Sequence, residues 1–141
     1  MTRWLNRLQP WGVLFLRLVL GTAMVVHGYP KVVPAGAFHF RNAFSALDHY
    51  AHFIGSLGLP PWLGYVSAFT EFIGGICLIL GLFTRFFAFL VTINLLVAIA
   101  AVCIHRGYGA CEYPLALAAI AFMILLTGPG KANLDRKIGF S

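Results

Sequence analysis

The chain has 141 residues, a length that fits one domain. Sixty per cent of it is apolar and 10% is charged, whereas a soluble domain carries about 25% charged residues. Too few polar groups remain to coat a water-facing surface, and disordered, collagen-like and disulfide-scaffold classes are excluded as well. The net charge of +6 would point to nucleic acid in a soluble domain. Beside apolar spans, basic residues instead encode orientation, so no nucleic-acid partner is expected.

A helix needs roughly 20 mostly apolar residues to cross the hydrocarbon core. The first such stretch is about 11–29, after Pro10, with Arg17 as its one charge. Its basic start and the later Ala35-Gly36-Ala37 raise a cleaved leader. Arg17, the length of the run and the distance of that site favour a retained helix. Residues 37–57 follow as an amphipathic helix. Phe40, Phe44, Leu47, Tyr50, Ala51 and Ile54 share one face at about 100° per residue. Arg41, Ser45, Asp48, His49 and His52 lie opposite. Such a helix lies flat at the interface, as a lid over the outer mouth of a bundle, with Gly58 as its stop.

Pro60-Pro61 opens a second span, about 62–83, whose one charge is Glu71. The short Phe83-Thr84-Arg85 turn leads to a third, about 85–105, which makes the two antiparallel neighbours. No Asp, Glu, Lys or Arg occurs from Phe86 to His105. Gly107 and Gly109 precede a fourth span, about 112–128, closed by Gly128-Pro129-Gly130. Barrel strands would alternate with period two, and these runs do not. The expected fold is all-α: a single membrane domain, 1–141, built as a transmembrane four-helix bundle with an interfacial helix between the first and second spans.

Arg3, Arg7, Arg85, Lys131, Arg136 and Lys137 fall on one side, and Lys31, Arg41 and Arg106 on the other. The positive-inside rule then puts both termini in the cytoplasm.

Small residues let helices approach in lipid, and each span has a small-residue face carrying its polar residues. Convergence of those faces inside the bundle is therefore expected. By depth, Arg17, Glu71 and Asn94 form one set, since a lone charge in the membrane costs about 2.5–3.5 kcal/mol on insertion scales. His27, Lys31, His105 and Glu112 form a second cluster at the outer ends. These seven residues are the candidate ligand-binding set. The inner set is either a register lock or the lining of a pocket for a polar head such as a quinone, or a proton relay. The outer set, with two imidazoles, suits proton-coupled redox chemistry near neutral pH.

Cys77 reads as small packing. Cys103 and Cys111, both at the outer end, are either a disulfide or redox pair, or two stray small residues. Asp48, His49 and His52 read as a wet polar face rather than metal ligands. No C-x-x-C, haem-attachment motif or glycine-rich phosphate loop occurs, so no metal site and no catalytic residue is assigned.

The order of features then becomes recognisable. Arg17 and Gly21 precede His27-Gly28 and Lys31. Next come Gly58-Leu59-Pro60, Glu71 with Gly74-Gly75, and Leu80-Gly81-Leu82-Phe83-Thr84-Arg85. Glu112 opens the last span, and Gly128-Pro129-Gly130 precedes Leu134-Asp135. From Arg17 to Asp135 the chain resembles the DoxX family of small bacterial membrane proteins. The resemblance implies a multi-pass protein of the bacterial inner membrane. It also implies association with membrane redox complexes, as in a thiosulfate:quinone oxidoreductase subunit of sulfur oxidisers and a partner of superoxide dismutase and a sulfurtransferase in mycobacteria. Arg17, His27, Lys31, Glu71, Arg85 and Glu112 match the family's polar pattern, with no catalytic role attached. Without the large extra domains of some thiosulfate-oxidising relatives, this chain is not expected to carry their specific activity.

Two functions follow as expectations. One is a redox-linked subunit with a buried polar pocket for quinone or a small sulfur species. The other is a non-catalytic structural or assembly subunit of a larger membrane complex. A transporter is disfavoured by the lack of charge rings and broken-helix pairs. Expected partners are the lipid bilayer, and other membrane subunits or further copies of the chain.

Overall fold

The computed structural model describes residues 2–33, 44–103 and 106–139. The chain forms α1 (Thr2–Val32), α2 (Ser45–Ser56), α3 (Trp62–Leu80) and α4 (Thr84–Ala98), the last running into a π-helical turn, Ile99–Cys103. It continues as α5 (Tyr108–Thr127) and a single turn α6 (Asp135–Ile138). No strand occurs among the described residues. α1, α3, α5 and the stretch Thr84–Ala101 are long and apolar enough to cross a membrane. The expected all-α architecture is therefore present, with a shorter helix between the first two spans. Of the amphipathic stretch 37–57, residues 45–56 are helical, and 37–43 lie outside the described residues.

α1 packs on α3, α3 on α4, α4 on α5 and α5 back on α1, which closes a ring. Its centre is filled by Leu20 and Met24 of α1, Leu78 of α3, Val91 and Leu95 of α4, and Ala121 and Ile124 of α5. Phe15, Ile73, Phe89, Leu96 and Phe122 point outward, as a lipid-facing surface requires. α1 has 31 residues, about 46 Å at 1.5 Å per residue, against roughly 30 Å of hydrocarbon. Its first turns, with Trp4, Leu5 and Leu8 exposed, therefore extend past the bundle.

α1 and α3 meet backbone to backbone. A Cβ on Gly28 would stand 2.6 Å from the Phe72 nitrogen, and one on Gly75 would stand 2.8 Å from the Gly21 carbonyl oxygen. Gly28→Ala should therefore force the helices apart and lower the thermal midpoint, an overpacking cost of about 1–3 kcal/mol. Gly12→Ala, where a Cβ meets nothing within 4 Å, should leave the midpoint unchanged or raise it slightly. Equal midpoints for the two variants would contradict the close crossing.

The α3–α4 turn is locked from the C-terminal segment. Gly81 ends α3 at φ 69°, the Leu82 N–H reaches the Cys77 carbonyl at 2.9 Å and the Gly81 N–H reaches that of Leu78 at 3.2 Å, a Schellman ending. Phe83 then takes a left-handed φ of 48° without being glycine. The Asp135 carboxylate holds it there, accepting the Phe83 N–H at 2.5 Å and the Thr84 N–H at 2.9 Å. It thus caps α4 from 51 residues away. In return the Gly81 carbonyl accepts the N–H groups of Leu134 and Asp135, each at 3.0 Å.

Arg17, 1% exposed, completes the lock. It donates to the Pro129 carbonyl at 2.5 Å and the Ala132 carbonyl at 2.7 Å.

Candidate functional site: a polar cluster behind a lateral cleft

Glu71 is the charge that the bundle buries near the middle of α3, with its side chain 9% exposed. Gly74 and Gly75 are buried on the same helix and bring it close to α4 and α1, where a Cβ would meet Phe87 and Gly21. The two Glu71 oxygens have separate partners. Oε2 lies 2.5 Å from Lys31 Nζ, and Oε1 accepts from Asn94 Nδ2 at 3.0 Å. Lys31 comes from the last turn of α1 and Asn94 from the middle of α4. The carboxylate thus ties three spans together.

α2 adds a fourth element. The Tyr50 hydroxyl accepts from Lys31 Nζ at 3.3 Å and lies 3.1 Å from Ser67 Oγ of α3. The Lys31 ammonium also sits 4.3 Å from the centre of the Tyr50 ring, a cation–π contact. Tyr50 can reach because α2 lies against α3 at backbone distance, where a Cβ on Gly64 would stand 2.7 Å from the Ala51 Cα. A second tie, from the Tyr65 hydroxyl to Asp48 Oδ1 at 2.5 Å, fixes the helix in rotation.

The cluster faces two openings. Between α2, α3 and α4 is a cleft of about 180 Å³, whose polar lining is Tyr50, Ser67, Thr70 and Asn94. Its walls are otherwise apolar, including Phe53, Leu57, Ile93 and Val97, and reach Ala101 in the π-helical turn. A π-helical turn at such a place is common beside functional sites. The second opening, about 440 Å³, is lined by Lys31, Ser45 and His49. Tyr50 and Phe53 belong to both.

The seven candidates from the sequence are thus partly reunited. Glu71 and Asn94 touch as expected. Lys31, placed with the outer group, is instead the ion partner of Glu71. Arg17, expected beside Glu71, is spent on the C-terminal turn. A long side chain from mid-span can travel toward the helix end, and the carbonyls after α5 needed donors. His27 leaves the cluster too: it is exposed, with Nε2 3.2 Å from the Tyr113 hydroxyl. Glu112 is exposed in the first turns of α5. The face of α5 that carries Glu112, Ala116 and Ala119 points outward, and Leu117, Ala118, Ala121 and Ile124 are buried in its place. α5 is apolar all round, so its small residues gave no guide to its inner face. His105 lies outside the described residues, as does the side chain of Cys103 that a pairing with Cys111 would need. On the sequence alone Tyr50 counts toward the apolar face of α2, and Ser67 carries no assigned role. Their hydroxyls, at one level of α2 and α3, are the sequence signal for the cluster.

A family comparison decides the affiliation. The sequence profile of the DoxX family matches residues 12–106. The chain belongs to the DoxX family. It is 31% identical to a Bacillus subtilis (strain 168) protein named "Putative oxidoreductase CatD", over 93% of this chain and 90% of that one. It is 30% identical to an uncharacterized protein of Haemophilus influenzae, over 94% of this chain and 95% of that one. No solved structure matches. With four apolar helices long enough to cross a bilayer, this DoxX protein is a multi-pass membrane protein.

Proposed function

We propose that this DoxX protein is a redox-linked membrane subunit that holds the head of a membrane quinone in the α2–α3–α4 cleft. The observation that carries the reading is the buried Glu71, tied to Lys31 and to Asn94, directly behind that cleft. The volume of about 180 Å³ is below the roughly 300–1,000 Å³ of pockets that enclose a whole ligand. It suits a head group whose tail remains among lipids, and the apolar walls favour a quinone over a small sulfur anion. Asn94, Ser67 and Tyr50 supply donors for a quinone oxygen. Glu71 and Lys31 stand one bond further back, and Lys31 also lines the second opening, which gives protons a route to the cluster. Electrons would come from a partner in the same membrane. The family and the basic-residue count favour the bacterial inner membrane with both termini in the cytoplasm.

Solvent extraction of protein purified in mild detergent should release quinone near one per chain. Glu71→Gln and Asn94→Leu should each lower that occupancy severalfold. Absence of quinone from folded wild-type protein, together with a stable partner complex, would instead support the non-catalytic assembly subunit.

A further inference from the structure

At the opposite end of the bundle from the Lys31–Glu71 cluster lies a cavity of about 580 Å³. It belongs to neither the quinone reading nor the family's polar pattern as a unit. Its walls come from α1 (Pro10, Val13), the start of α4 (Arg85, Phe86) and the segment after α5 (Lys131). Three features give it a chemical character.

The first is charge. Arg85 and Lys131 both line it and are exposed. The carboxylate on its wall, Asp135, is engaged by the Phe83 and Thr84 N–H groups. The site therefore presents two cations against an acid that is already satisfied. The second is order. The Arg85 guanidinium lies over Gly128, where a Cβ would meet Nε and Nη2 at 3.3 Å. The Lys131 backbone N–H is pinned to the Pro10 carbonyl at 3.1 Å. Thr84, fully buried on the same wall, adds a hydroxyl with no hydrogen-bond partner among the described residues. The third is level. Thr84 begins one span and Thr127 ends another, so the mouth opens where hydrocarbon meets water. Trp11 is exposed one residue from the lining Pro10, as tryptophans are at membrane interfaces.

From these we infer a binding site for an anionic phospholipid, with the phosphodiester between Arg85 and Lys131 and the acyl chains running down past Val13 and Phe86. Basic pockets between transmembrane helices on the cytoplasmic side take such head groups, and the count of lysines and arginines puts this end in the cytoplasm.

The test uses the full chain in an uncharged detergent, with phosphatidylglycerol, phosphatidylcholine or inorganic phosphate added, read by native mass spectrometry and thermal midpoint. Phosphatidylglycerol should remain bound to wild type and raise its midpoint. Phosphatidylcholine and phosphate should do neither. Arg85→Gln with Lys131→Gln should cut retention at least fivefold, and Lys131→Gln alone, at an exposed side chain, at least twofold. Arg7→Gln, which removes a charge outside the cavity, should retain wild-type binding. Equal retention by the cavity variants, equal loss in Arg7→Gln, or a response to phosphate in place of lipid would each overturn the site.

Discussion

Arg17→Met should unfold this protein more readily than any other single truncation of a polar side chain in the bundle. The guanidinium makes two charge-assisted bonds to carbonyls that have no helix to serve them, at Pro129 and Ala132. Such bonds contribute about 1.5–3 kcal/mol each, and both carbonyls lose their donor at once. The loosened 129–132 turn then draws Asp135 away from the left-handed Phe83 and from the first turn of α4. Arg17→Lys should recover only part of the loss, because an ammonium lacks the planar fork that reaches both carbonyls. A denaturant titration in detergent measures this. A wild-type midpoint for Arg17→Met would show that the C-terminal turn holds itself.

The second large effect concerns Glu71. Lys31→Met leaves a carboxylate at 9% exposure with Asn94 as its remaining neutral donor. A buried charged group stripped of a partner costs more than the roughly 1–3 kcal/mol of a neutral one. The double variant Lys31→Met with Glu71→Gln removes the orphan charge and should regain most of that stability, since an apolar or neutral replacement of a buried pair is often tolerated. The same double variant should still lack quinone. Stability recovered while occupancy stays lost separates a ligand site from a register lock. Recovery of both, or of neither, would contradict the assignment.

The spans were legible because membrane helices must satisfy their own backbone and exclude charge. Long charge-free runs such as 86–105 therefore mark themselves. The Glu71–Asn94 contact was legible too, since both residues sit at mid-span on small faces and neither can be left alone in lipid. Arg17 was not. Depth says where its Cα lies, whereas its head group lies several ångströms away, and the acceptors that claim it belong to a segment with no apolar signal. Asp135 was invisible for the same reason: one acid after Gly128-Pro129-Gly130 looks like a solvated tail until the turn it caps is seen. α5 could not be oriented, because an all-round apolar helix carries no face in its sequence. Tyr50 was legible only in its ring, which the period puts on the apolar face of α2; periodicity says nothing of the Lys31 and Ser67 partners of its hydroxyl.

The cleft between α2, α3 and α4 is proposed to hold a quinone head in front of the Lys31–Glu71–Asn94 cluster. Photolabelling of the full chain with an azido-quinone, mapped by peptide mass spectrometry, tests it most directly. Label concentrated in 50–57 and 93–101, and displaced by unmodified quinone, is the predicted result. Label on the outward face of 108–127, or spread evenly over the lipid-facing surface, would contradict it.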